Sequence, residues 1–264
     1  MDIATRFDHA RRIAEGAGRL ALDYFRRLED LDVVNKGPQD FVTEADQNVE
    51  IAIRAALAET LPEDGIVGEE HAPHLGTSGF TWVIDPIDGT ANFVTGIPAW
   101  TVVLAGVAGP DIQIGVIHDP VHGETFAALR GRGATLNGQP IRVAPDAALT
   151  NGTVGVGFSG RADKTIPKRL TAGILDAGGV YVRNGSGALS LAYTAAGRFL
   201  GYTEAHMNAW DCLAGQLLVA EAGGRIEKQD AQAMITNGGR VVCGAPGVFD
   251  DLLRLTEEAI AGNG

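Results

Sequence analysis

A chain of 264 residues with 33 acidic against 21 basic side chains has a formal net charge of −12. That balance is poorly suited to a nucleic-acid binder, which carries a basic stripe, or to an anionic membrane surface. With 45% hydrophobic and 20% charged residues, the composition is globular, and the length allows one large domain or two small ones. Two cysteines, Cys212 and Cys243, cannot by themselves form a disulfide framework, a zinc cage or an iron–sulfur site. No apolar run approaches the ~18–20 residues of a membrane span. The first residues, Met1 to Arg6, lack a basic segment followed by an apolar core. A soluble, reduced, cytoplasmic protein is therefore expected.

The first segment is amphipathic: Ile3, Phe7, Ala10, Ile13, Ala14, Ala17, Leu20, Ala21, Tyr24 and Phe25 recur three and four apart, which predicts a helix. Val34 to Asp40 reads as a polar loop. A second helix starts near Thr43, with Val49, Ala52, Ile53, Ala56 and Leu57 on one face, and ends at Leu61-Pro62-Glu63-Asp64-Gly65. The period then changes. Phe80 to Ile84 and Thr101 to Val107 read as buried strands, and Ile112 to Ile117 with Glu124 to Leu129 as a strand pair. Asn137-Gly138 marks a tight hairpin. The second half alternates strands at 153–156, 180–183 and 199–203 with helices at 164–177, 189–196 and 210–222. A strand at 240–243 and a helix at 248–260 follow. Such alternation implies layers of sheet and helix. No firm domain boundary is visible, only a soft seam near 144–151.

Gly155-Val156-Gly157-Phe158-Ser159-Gly160 matches the G-x-G-x-x-G fingerprint of dinucleotide folds. The next strand, however, ends in Arg183 where an acidic residue is required, and no second mononucleotide half is visible. A plain glycine-rich loop is the preferred reading. A dinucleotide oxidoreductase is kept as a distant alternative.

The densest chemistry lies in Trp82-Val83-Ile84-Asp85-Pro86-Ile87-Asp88-Gly89-Thr90-Ala91-Asn92-Phe93. A buried strand runs into two aspartates three residues apart. Carboxylates so close repel each other unless a cation lies between them. Oxygen ligands without His or Cys select Mg²⁺, Mn²⁺ or Ca²⁺ over zinc. If Gly89 and Thr90 open a helix, their N–H groups form an anion-binding end. Metal and phosphate ligands at one strand end suggest metal-assisted phosphoryl transfer. The bland reading is a polar Asp-Pro/Asp-Gly turn. Gly68-Glu69-Glu70 could add a bridging carboxylate or be a solvated acidic turn. Thr43-x-x-Asp46 and Asn208-x-x-Asp211 both read as helix caps. Caps alone do not explain why so many acids gather at element ends.

Asp40-Phe41-Val42-Thr43-Glu44-Ala45-Asp46, Gly68-Glu69-Glu70, the Asp85–Phe93 run and Trp210-Asp211 through Ala220-Glu221-Ala222-Gly223-Gly224 together resemble the inositol monophosphatase family. These are lithium-sensitive, Mg²⁺-dependent phosphatases related to fructose-1,6-bisphosphatase. The resemblance extends through Gly115–Pro120, Gly133-Ala134 with Asn137-Gly138, and Arg183-Asn184-Gly185-Ser186-Gly187-Ala188, so it covers nearly the whole chain.

The resemblance implies an α/β/α/β/α sandwich paired as a homodimer, with an N-terminal metal-binding lobe and a C-terminal substrate-binding lobe. It implies that Glu69, Asp85 and the Ile87 carbonyl hold one Mg²⁺, and that Asp85, Asp88 and Asp211 hold a second. Glu69 with waters would hold a weaker third. Asp46 would bond Thr90 and the pair would orient the attacking water, while the Gly89 and Thr90 amides grip the phosphate. Lys36 would sit in a mobile loop over the metals. Gly185, Ser186, Gly187 and Glu204 would line the pocket for the alcohol. The implied activity is hydrolysis of inositol monophosphate or a similar small polyol phosphate by a metal-activated water. Histidinol phosphate, 3′-phosphoadenosine 5′-phosphate and fructose 1,6-bisphosphate are alternatives. A regulatory partner of the transcription or ribosome-assembly machinery is an alternative of another class. His206-Met207-Asn208-Ala209 lies where activities of the family diverge, and Leu200 replaces an acidic residue and reads as packing. His71 and His74 are not expected to bind metal, nor Cys212 to be reactive.

Overall fold

The structure is a computed structural model that describes residues 1–30, 33–37, 40–160 and 162–262, with no side chains described at 30–42. Helix α1 (Ile3–Phe25) is capped by Asp2, whose carboxylate accepts from the Thr5 N–H, and buries Ala10, Ala14, Ala17, Gly18 and Ala21. The segment expected to be a loop is instead an antiparallel ribbon of β1 (Val33–Gly37) and β2 (Asp40–Thr43). Short irregular strands of this kind leave no two-residue hydrophobic period to detect. Helix α2 (Glu44–Thr60) starts at the expected capping box of Thr43 and Asp46.

A seven-stranded sheet follows. It contains β3 (Gly65–Gly68), β4 (Phe80–Asp88), β5 (Thr101–Ala108), β6 (Asp111–Asp119), β7 (Glu124–Leu129), β8 (Ala134–Leu136) and β9 (Gln139–Pro140), side by side in chain order. Only β3 and β4 run parallel. The five-residue helix α3 (Thr90–Val94) interrupts it after β4. Asn137 and Gly138 both have positive φ at the β8–β9 turn, as the Asn-Gly pair predicts.

Residues 141–152 lead to a second sheet. Its strands are β10 (Thr153–Val156), β11 (Val180–Val182), β12 (Gly201–Met207), β13 (Arg225–Ile226) and β14 (Gly239–Gly244), in the spatial order β11-β10-β12-β14-β13. Between them lie α4 (Thr165–Asp176), α5 (Gly187–Ala195), α6 (Ala209–Glu221) and α7 (Ala231–Asn237), and α8 (Pro246–Ala261) ends the chain. Strand β12 starts later than the expected Phe199, because Phe199 is held against Tyr193 at the end of α5.

The packing is five-layered. Helices α1 and α2 cover the outer face of the first sheet, α5 and α6 lie between the sheets, and α4 and α8 cover the second. Helix α6 is apolar around its circumference, with Cys212, Leu213, Ala214, Leu217, Leu218 and Val219 all buried, as a central layer requires. One apolar core runs from Val83 and Val103 of the first sheet to Val241 and Val242 of the second. Among the described residues no helix is long and apolar enough to cross a membrane.

Candidate functional site

Strand β4 pairs with β5 in regular register up to Asp85, and the register then shifts before Asp88. Pro86 has no N–H for the ladder, so the strand end bulges and re-aims its side chains. Asp85 is buried and accepts from the Ile87 N–H at 2.9 Å. Carboxylate oxygens of Asp85, of Glu69 beyond β3 and of Asp211 in the first turn of α6 lie within 4.8 Å of one another. Glu69 is open to solvent on one side, but its carboxylate end faces the other two. Burial, then Asp211 and Glu70, push the Glu69 pKa well above the usual range. Burial, then Glu69 and Asp88, do the same to Asp85. Three hard, mutually repelling oxygen donors without His or Cys fit a divalent ion such as Mg²⁺.

The loop that carries Glu69 is held from α2. Glu50 is fully buried and accepts from the N–H groups of Glu70 at 2.8 Å and His71 at 3.2 Å. It also accepts from Arg54 Nε at 2.7 Å, and Arg54 in turn donates to the His71 carbonyl at 3.1 Å. One helix ion pair thus grips both the donors and an acceptor of the loop. Residue 68 must be glycine here, because a Cβ would collide with the Glu50 carboxylate.

Asp46 serves two structures at once. Its Oδ2 accepts from the Thr43 N–H at 2.8 Å as a helix cap, and its Oδ1 lies 3.2 Å from the Thr90 hydroxyl. The cap reading and the expected Asp46–Thr90 contact are therefore both present. Burial, opposed by the Thr43 hydrogen bonds, pushes Asp46 up to about 6. Thr90 Oγ1 also lies 3.1 Å from the Ile87 carbonyl. Gly89, with φ of 97°, makes the turn into α3 that a side chain would strain.

Asp88, also buried, interacts electrostatically with the triplet. Its Oδ2 accepts from the Ser186 hydroxyl and, at 3.0 Å, from the Ala188 N–H at the start of α5. Burial and Asp211 push it up to about 7, against those hydrogen bonds. The resemblance grouped Asp88 with Asp85 and Asp211, whereas the tightest grouping among the described residues is Glu69, Asp85 and Asp211. Asp88 also ties the first sheet to α5.

Beside these acids opens a pocket lined by Asp88, Gly185, Ser186, Gly187, Glu204 and Asp211 among others. The expected alcohol-side residues Gly185, Ser186, Gly187 and Glu204 all line this pocket. The Lys36 side chain lies outside the described residues. His74 is engaged in a backbone bridge with Ile66, Cys212 is buried with its thiol pushed up by burial, and Leu200 is packed as expected. Glycines 155 and 157 do not open a dinucleotide fold; they lie at the end of β10 against β12.

Glu50 was not among the residues expected at the site. Its signal is visible in retrospect: it shares the α2 stripe with Val49, Ile53 and Leu57, where an acid must be partnered. The Ser186–Asp88 bond has no local signal, since the partners come from different halves of the chain.

The inositol monophosphatase family model matches residues 2–261. The chain is 33% identical over 245 residues to the Nus factor SuhB of Haemophilus influenzae, covering 92% of each. It is 37% identical over 234 residues to the inositol-1-monophosphatase of Rhizobium meliloti, covering 86% of this chain and 87% of that one. The crystal structure of extragenic suppressor protein suhB from Bartonella henselae superposes with a TM-score of 0.90 at 30% identity, covering 96% of this chain and 99% of that one. Layered architecture, carboxylate cluster and sequence agree: the chain belongs to the inositol monophosphatase family.

Proposed function

We propose that the chain is a Mg²⁺-dependent phosphomonoesterase that hydrolyses inositol monophosphate or a similarly small polyol phosphate. The observation that carries this reading is the convergence of Glu69, Asp85 and Asp211 within 4.8 Å beside an open pocket. In this reading Glu69, Asp85, Asp88, Asp211 and the Ile87 carbonyl hold two or three ions. A bound divalent ion supplies Lewis-acid chemistry, polarising a phosphoryl oxygen and acidifying water.

The chain's own groups position the reactants. Thr90 has one hydroxyl hydrogen and two acceptors in reach, Asp46 Oδ1 and the Ile87 carbonyl. With that hydrogen on ionised Asp46, the Thr90 oxygen accepts from the attacking water and aims its lone pair at phosphorus. Protonated Asp46 cannot play this part; burial favours that form in the metal-free site, and bound cations favour the ionised form that turnover requires. The Gly89 and Thr90 amides open α3 and bind phosphate oxygens. Gly185, Ser186, Gly187 and Glu204 receive the alcohol. In this reading Lys36, on strand β1 of the ribbon, belongs to the segment that covers the site, and the active form is a homodimer.

A relative carrying the name Nus factor SuhB favours one second reading, a binding role in transcription. The two separate in a phosphate-release screen with Mg²⁺, with and without Li⁺. The panel holds inositol 1-phosphate, histidinol phosphate, 3′-phosphoadenosine 5′-phosphate and fructose 1,6-bisphosphate. The proposal expects inositol 1-phosphate to give the highest kcat/KM. Absence of turnover on the whole panel refutes it and leaves the binding role.

A further inference from the structure

The glycine-rich stretch at the end of β10 has a structural purpose tied to the pocket. Gly155 is the parallel register partner of Tyr202 on β12. A Cβ at 155 would lie 2.8 Å from the Tyr202 ring, and one at 157 would collide with both the Tyr202 hydroxyl and the Glu204 carboxylate. The two glycines therefore clear the space in which Tyr202 and Glu204 meet. Residues 202 and 204 fall on the same face of β12 by strand alternation. Tyr202 is 2% exposed, and its hydroxyl donates to Glu204 Oε2 at 2.5 Å, the length of a charge-assisted bond. The Tyr202 hydroxyl also faces the start of α5, where a Cβ on Gly187 would come within 3.4 Å of it. Both side chains line the pocket.

We propose that Tyr202 is a positioning residue that fixes the Glu204 carboxylate as a rigid hydroxyl acceptor, so that the site selects phosphate esters whose alcohol carries further hydroxyl groups. The inference rests on the phosphatase reading of the pocket. The choice of donor matters. The phenol removes rotational freedom from the carboxylate and adds no charge of its own. A carboxylate held this way accepts from a substrate hydroxyl without first losing side-chain entropy, and that is where preorganisation yields affinity. An ester with no second hydroxyl has nothing to offer it.

The test is Tyr202→Phe, which keeps the ring against Gly155 and removes only the hydroxyl. Hydrolysis of inositol 1-phosphate and of p-nitrophenyl phosphate is measured with Mg²⁺ for wild type and variant. The preference in kcat/KM for the polyol ester is expected to fall about tenfold, with the loss carried by KM. Glu204→Gln is expected to lower the same preference, and it provides the reading if Tyr202→Phe loses its fold. An equal loss on both esters, a loss confined to kcat, or an unchanged preference overturns the inference while leaving the phosphatase intact. Failure of the wild type to hydrolyse either ester overturns both.

Discussion

Replacing Glu50 by alanine tests how the metal-binding loop is held. The substitution removes the acceptor of three hydrogen bonds, from Glu70 N–H, His71 N–H and Arg54 Nε, at 2.8, 3.2 and 2.7 Å. Removing one partner of a buried ion pair costs about 3–5 kcal/mol, because the other charge is left uncompensated. The Arg54 side chain is 17% exposed and can turn partly to water, so the lower end, about 3 kcal/mol, is expected. Urea unfolding in EDTA reads this loss. The freed loop also stops presenting Glu69 to Asp85 and Asp211, and loss of such an outer partner lowers metal affinity about 10–100-fold. Calorimetric titration with Mg²⁺ reads that, and in a Glu69→Ala background the metal effect of the Glu50 change is expected to vanish. A stability loss below about 1 kcal/mol together with unchanged Mg²⁺ affinity refutes the clamp.

Two further outcomes follow from the structure. Asp46, raised from 3.8 to about 6 by burial, holds its proton more tightly folded than unfolded. Its contribution is thus present at low pH and is lost as pH rises from about 4 through 6, amounting to about 3 kcal/mol by linkage. Glu69, Asp85 and Asp88 are shifted in the same direction. The melting temperature in EDTA should therefore fall as pH rises from 4 to 7, and Mg²⁺ should restore most at pH 7; a metal-free curve that rises over this range contradicts the assignment. Gly18→Ala places a methyl against the ring of His118, which is pinned by Thr125 at 2.9 Å. It is expected to cost about 1–3 kcal/mol by overpacking, seen in urea unfolding, with KM unaltered; an unchanged unfolding midpoint shows that α1 moves freely.

What the sequence made legible follows from period and length. Long amphipathic helices such as α1 and α8, and apolar strands such as β5, announce themselves over many residues. The ribbon β1–β2, strand β13 and helix α7 do not, because two to seven residues carry too little pattern. At the site, Asp85 and Asp88 are legible because a buried strand running into paired acids requires a partner for them. Glu69 and Asp211 are legible only together with the family pattern, since the fold alone brings them to Asp85. Tyr202 and the two glycines at 155 and 157 fit each other across β10 and β12, and that register exists only in three dimensions. The glycine fingerprint misleads for this reason: its spacing serves a tyrosine and a glutamate of the neighbouring strand.

The central claim is that the acid cluster works through a divalent ion on a phosphate ester. Phosphate release from inositol 1-phosphate, measured on wild type with Mg²⁺, wild type with EDTA, and Asp85→Asn with Mg²⁺, tests it most directly. Turnover in the first sample alone, with Asp85→Asn still folded by circular dichroism, is the predicted result. Equal turnover in all three, or none in the first, contradicts the account.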